Sequence, residues 1–258
     1  MVTSRYFDLN IQRVLEHWSV SEALREVIAN ALDEQALSGT AEPEIFDESG
    51  GSWHVRDFGR GLRYEHFTQN ENPEKLDRPE LVIGKFGVGL KDALATFDRH
   101  DIRLVIRSRH AEITTESVGK HGFDDVRTLH AVVSDSPDPE MAGTEFVLSG
   151  LTNADVDRAK EFFLRYSGDM ELEPTRFGSV LRRGHGSAYI YVNGLRVAEE
   201  PNFLFSYNIT SLTKTLRAAL NRSTANVATL AARLTPTASK PSCWPARHPR
   251  SPTNWRPT

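Results

Sequence analysis

The stretch SEALREVIANALDEQAL, residues 21–37, constrains the fold of this chain more than any other. Its apolar positions recur at helical spacing. At about 100° per residue, Leu24, Val27, Ile28 and Ala31 form one stripe. Ser19 or Ser21 suits the N-cap, and Gly39 stands just past the end. Glu26, Asn30 and Asp33 fall together on the opposite side, within roughly 60° of one another. That side either faces water or faces a pocket. Helices routinely carry carboxylates outward, so the first reading is an ordinary amphipathic helix. In the second, Asn30 offers a hard amide oxygen suited to Mg2+. Glu26, one turn away, can activate a water beside that metal.

The other elements read as mixed α and β. Residues 9–17 look like a short helix, and strands are expected at 44–47 and 53–57. Residues 89–97 read as a helix entered from a glycine loop. Four strands follow, at 102–108, 112–118, 128–134 and 144–148, with the clearest alternation in Ile102, Leu104 and Ile106. A helix is expected over 154–166. Strands are expected at 188–192, 196–198 and 203–207, with Asn193-Gly194 as a hairpin turn, and a last helix at 211–221. Helices on one side of a mixed, mostly antiparallel sheet give a two-layer α/β (α+β) sandwich.

Three further segments carry chemistry. Asp57-Phe-Gly59-Arg-Gly61 closes a strand. It is either a plain turn or a carboxylate that binds an exocyclic amine, with glycines letting a flat base approach the backbone. Gly84-Lys85-Phe-Gly87-Val-Gly89 precedes a helix, where free N–H groups and the helix dipole favour an anion. It is neither a P-loop nor a Gly-x-Gly-x-x-Gly fingerprint. Lys85 and Lys91 are placed to assist phosphates, and each also reads as an exposed lysine. Gly143-Thr144 opens a strand, and its hydroxyl can hold a water or a base at a pocket floor.

In order and spacing these boxes resemble the GHKL superfamily, whose members include gyrase B, ninety-kilodalton heat-shock chaperones, MutL, microrchidia ATPases and histidine kinases. The family pattern is Glu-x-x-x-Asn-x-x-Asp, Asp-x-Gly-x-Gly, Gly-x-x-Gly-x-Gly and Gly-Thr. This chain has Glu26/Asn30/Asp33, Asp57/Gly59/Gly61, Gly84/Gly87/Gly89 and Gly143/Thr144. The resemblance covers about residues 19–150 and implies the Bergerat fold. It implies ATP and Mg2+ as cofactors, Glu26 as general base and Asn30 as metal ligand. It also implies Asp57 on the adenine amino group with Thr144 nearby, Gly59 and Gly61 shaping the base pocket, and Gly84, Gly87 and Gly89 around the phosphates. Residues 62–83 would be a lid over the nucleotide. Asp33 matches a family position but reads as structural.

The expected activity is ATP hydrolysis coupled to lid closure or dimerisation. Two alternatives stand beside it: a histidine-kinase-like ATP-binding domain, and a nonhydrolysing ATP-gated module. A kinase needs a phosphoacceptor histidine on a preceding hairpin, and His17 has too little chain before it. Residues 189–197 resemble a strand-turn-strand of the small domain that follows the ATP site in MutL and gyrase. In those proteins a lysine reaches the γ-phosphate. Arg196 and Lys214 are the substitutes considered, and neither lies in a matching motif. The chain is expected to divide into an ATP-binding domain over 1–150 and an extension of its sheet, or a partial second subdomain, over 151–222.

Composition excludes little more. A net charge of −4 gives no sign of DNA as a partner, although a local basic groove would be compatible with it. One cysteine, Cys243, precludes an internal disulfide. The chain shows no apolar run of membrane length and no signal pattern, so a cytoplasmic location is expected. No Asp or Glu follows Glu200, and prolines crowd the end from Pro236 to Pro257. The segment 223–258 is therefore expected to be disordered. A shifted reading frame is one origin: read two bases later, the codons of residues 237–245 can spell a helix-forming run.

Overall fold

The computed structural model describes residues 5–9, 18–67, 73–78, 80–83, 88–120, 123–184 and 186–211. Outside these lie most of the helix expected at 9–17, nearly all of the one at 211–221, Gly84, Lys85, Gly87, His17, Lys214 and the segment 223–258.

The chain opens with an edge strand, β1 (Arg5–Asp8), and then α1 (Val20–Ser38). Ser19 is the N-cap of α1: its hydroxyl accepts the Glu22 N–H, and the Glu22 carboxylate accepts the Ser19 N–H at 2.8 Å. Gly39 ends the helix with φ +67°, a left-handed conformation that glycine adopts at little cost. Replacing Ser19 with Ala removes the hydroxyl half of this capping box and leaves the backbone N–H on the Glu22 carboxylate. We expect a loss of about 1 kcal/mol of stability, measured by chemical denaturation; an unchanged midpoint would show that packing alone holds the helix start.

Five more strands follow α1 with two helices among them: β2 (Glu44–Glu48), β3 (Ser52–Arg56), α2 (Pro73–Asp77), α3 (Val88–Arg99), β4 (Arg103–Ser108), β5 (Glu112–Lys120) and β6 (Phe123–Ser134). With β7 (Thr144–Ser149) they form an antiparallel seven-stranded sheet ordered β1-β6-β5-β4-β7-β3-β2. Register decides its two faces. Val55, Phe146, Ile106 and Ile113 are successive partners in one row, and all are buried. That row faces α1, α3 and α4 (Asn153–Lys160) and forms the core with Leu24, Val27, Ile28, Leu94 and Phe97. On the opposite face, Glu44, Arg56, Glu145, Arg107 and Glu112 are successive partners, so charge alternates across the strands.

The helix expected over 154–166 is interrupted. α4 stops at Lys160, Phe163 takes an extended backbone and is buried, and α5 (Leu164–Ser167) resumes. Phe163 bridges to Leu195, and the Leu164 N–H bonds the Gly194 carbonyl, so tertiary pairing outweighs helix continuation there.

The strands after α5 do not lengthen the first sheet. β8 (Glu171–Thr175), β9 (Gly178–Arg182), β10 (Ala188–Val192), β11 (Leu195–Glu200) and β12 (Phe205–Ile209) form a second sheet ordered β11-β10-β12-β9-β8. Only the β10–β12 pair is parallel. The protein is thus of mixed α/β class, with two mostly antiparallel sheets and few helices. Asn193 (φ +49°) and Gly194 (φ +79°) make the two-residue turn between β10 and β11 that the sequence predicts. Among the described residues no helix is long and apolar enough to cross a membrane.

Candidate functional site

A cavity of about 430 Å³ opens between α1, the ends of β3 and β7, and the segment that contains α2. That volume lies in the range of small-molecule sites. The register of β3 against β7 places Asp57 beside Thr144, and the Asp57 N–H bonds the Thr144 carbonyl at 2.9 Å. The Asp57 Oδ1 accepts N–H groups from Gly59 at 2.9 Å and Thr144 at 3.3 Å. Gly143 allows this proximity. Its φ is +80°, and a Cβ there would run into the Asp57 carbonyl. The Thr144 Oγ1 accepts the Leu62 N–H at 2.9 Å, while the Ser108 hydroxyl donates to the Leu62 carbonyl at 2.7 Å. The residue that begins the expected lid is thereby fixed on both sides.

Asp57 is a buried carboxylate, and burial pushes its carboxyl up to about 6. Hydrogen bonds from Gly59 and Thr144 work against burial, and the negative charge of Glu34 adds to it. Glu34 behaves oppositely. Burial acts to raise it, but hydrogen bonds from the Arg60 side chain and backbone outweigh burial and hold the carboxyl below its usual range. Burial lowers His66, which also lines the cavity.

Four of the sequence-predicted residues meet at this cavity: Asn30, Asp57, Gly61 and Thr144. Gly59 packs where a Cβ would collide with the Glu34 side chain. Glu26 and Gly89 form a second group, because a Cβ on Gly89 would strike the Glu26 carboxylate. Glu26 is not among the cavity-lining residues. Its Oε1 accepts the Arg25 Nε at 3.0 Å and Nη2 at 2.6 Å. The Arg25 guanidinium in turn lies over the rings of Trp18 and Phe162. Burial raises Asp92 on α3, and the charge of Glu26 adds to it.

The side of α1 that carries Asn30 and Asp33 is not a solvated one. Asp33 is buried: its Oδ2 accepts the Lys75 Nζ at 2.7 Å, and its Oδ1 accepts the Ile83 N–H. The same ammonium reaches the Asn30 Oδ1 at 3.0 Å. Arg60 joins Glu34 of α1 to Glu74 of α2, with contacts of 2.8 Å and 2.7 Å. Sequence reasoning missed Glu34, Arg60, His66 and Lys75. Glu34 had a signal, since it lies four residues past Asn30 on the same side of the helix. Lys75 had none, because only folding carries it 45 residues back to Asn30. Arg196, considered as a cation for a phosphate, is instead stacked on Phe162 and Tyr189, at 4.9 Å and 4.8 Å from their ring centres.

Comparison with known proteins yields relatives from Mycoplasma pneumoniae (strain ATCC 29342 / M129 / Subtype 1). One, described as an uncharacterized protein, is 38% identical over 223 residues, which cover 84% of this chain and 89% of the relative. A second uncharacterized protein of the same organism is 38% identical over 90 residues, 34% of this chain and 26% of the relative. Residues 154–234 match the family model described as Mycoplasma pneumoniae MPN635 N-terminal domain. That match begins in α4 and takes in the whole second sheet. With likeness at this level over most of both chains, the protein belongs to the family of the first of these Mycoplasma pneumoniae proteins.

Proposed function

We propose that this chain is an ATP-binding protein of the GHKL type, with a Bergerat fold over its first sheet, that hydrolyses ATP with Mg2+ and couples the nucleotide to movement of residues 62–83. The observation that carries this reading is the convergence of Asn30, Asp57, Gly61 and Thr144 on one cavity, from boxes far apart in the chain. Asp57 fits an adenine amino group. A buried carboxylate with a raised proton affinity lacks a strong donor, and an exocyclic amine supplies one. Mg2+ fits Asn30. The Asn30 Oδ1 already accepts a cation, the Lys75 ammonium, and Asp33 contributes a second hard oxygen to that cation. Bound there, the ion would neutralise charge on the phosphates.

Nonhydrolysing, ATP-gated binding is a second reading, favoured by the pairing of Glu26 with Arg25 away from the cavity lining. The deciding experiment measures ATP binding by calorimetry and phosphate release, with Mg2+ or EDTA and with or without DNA. Binding that needs Mg2+, with slow release of phosphate, is expected. Binding without release favours the gated module, and absence of binding under all conditions ends both readings.

A further inference from the structure

We propose that Lys75 is a built-in competitor for the metal: its ammonium holds the place at the Asn30 oxygen that a divalent cation would take, and so latches α2 onto α1 until the metal arrives. The inference rests on the nucleotide reading for its biological meaning, but the latch itself is a property of these side chains. Lys75 Nζ lies 3.0 Å from the Asn30 Oδ1 and 2.7 Å from the Asp33 Oδ2. The pair is sheltered: Lys75 is 14% exposed in its side chain and Asp33 0%. A sheltered ion pair is screened far less by salt than a surface one. A divalent ion ligated by that same oxygen, at about 2.1 Å, would lie no further than about 5 Å from the ammonium. Like charges repel at that distance, so the two cations exclude each other.

The geometry also says what moves. Among the described residues, α2 is tied to α1 by Lys75 to Asn30 and Asp33, and by Glu74 through Arg60 to Glu34. The second tie is a surface contact, since Arg60 is 53% exposed, and such contacts hold weakly. Displacing Lys75 therefore removes the stronger of the two. Asp33 keeps the Ile83 N–H when the ammonium leaves, so the residue that leads into the glycine loop stays pinned while α2 is released. The four-carbon stem of Lys75 lets the ammonium leave without unfolding the helix that bears it.

The test uses Mn2+ alone, followed by water-proton relaxation, and then a fluorescent nonhydrolysable ATP analogue titrated with Mg2+. Lys75→Met is expected to bind Mn2+ on the order of tenfold more tightly than wild type, and to need correspondingly less Mg2+ for half-saturation with the analogue. Because Lys75→Met leaves a buried carboxylate without its cation, the comparison is repeated in the Asp33→Asn background, with and without Lys75→Met. The same direction is expected there. Unchanged or weaker Mn2+ binding in both comparisons overturns the latch. Failure of every protein, wild type included, to bind the analogue removes the nucleotide reading, and the Mn2+ comparison still decides the latch.

Discussion

Replacing Asp57 with Asn is expected to stabilise the ligand-free protein above pH 6 and, in the same molecule, to weaken ATP binding. The carboxyl stands at about 6 in the folded chain against an ordinary 3.8, chiefly because it is buried. Below the ordinary value it is protonated in both folded and unfolded states and costs nothing. Between the two values the folded state binds the extra proton, so stability falls as pH rises through this window. Above about 6 the loss is complete, at about 3 kcal/mol for a shift of this size. Asn is isosteric and its amide oxygen can still accept the N–H groups of Gly59 and Thr144. It escapes the cost of a buried charge. Its amide hydrogens would then oppose those of adenine, and affinity should fall by roughly one to two orders of magnitude. Wild-type affinity should also fall as pH drops below about 6, where the carboxyl takes up its proton. Melting curves at pH 4 and pH 8, with calorimetric titrations of ATP, check both halves. Equal melting temperatures at pH 8 would contradict the burial argument, and undiminished affinity would remove Asp57 from the adenine.

Glu26→Ala is expected to keep nucleotide binding and to lose turnover by about 100- to 10,000-fold, the range for removal of a general base. Binding should survive because Glu26 does not line the cavity, while Asn30, one turn along α1, does. Stability should change little: the Arg25–Glu26 pair is adjacent in sequence, and Arg25 retains Trp18 and Phe162. Single-turnover phosphate release at saturating ATP is the measurement. If Glu26→Ala hydrolyses ATP as fast as wild type, Glu26 is not the base. If neither protein hydrolyses it, the ATP-gated reading stands and the Arg25 pairing describes a carboxylate with no catalytic work.

Much of the first sheet was legible in the chain. The strands at 44–48, 52–56, 103–108, 112–120 and 144–149 lie within a residue or two of the expected ones, since alternation and turn residues mark them locally. β1, β8 and β9 were not legible. β1 is four residues long and exists because β6, far along the chain, offers it an edge. β8 is an edge strand containing Pro174, a residue that argues against a strand until its edge position is known. Asn30, Asp57, Gly61 and Thr144 stood out in the sequence as candidates because each lies in a short, spaced motif, and the four line one cavity.

What the sequence determined by itself is local chemistry: where α1 begins and ends, which of its residues share a side, and where a carboxylate stands among glycines. These follow from bond rotations and from spacings of a few residues. Which of those groups are buried, and what they touch, only the tertiary structure decided. Asp33 reads from the sequence as a structural residue with no named partner, and it is a buried carboxylate to which α2 brings an ammonium. Asp57 has its raised proton affinity because β7 and the Glu34 side of α1 close around it. Burial and charge pairing depend on distances through space between residues far apart in the chain, and a one-dimensional pattern does not contain those distances.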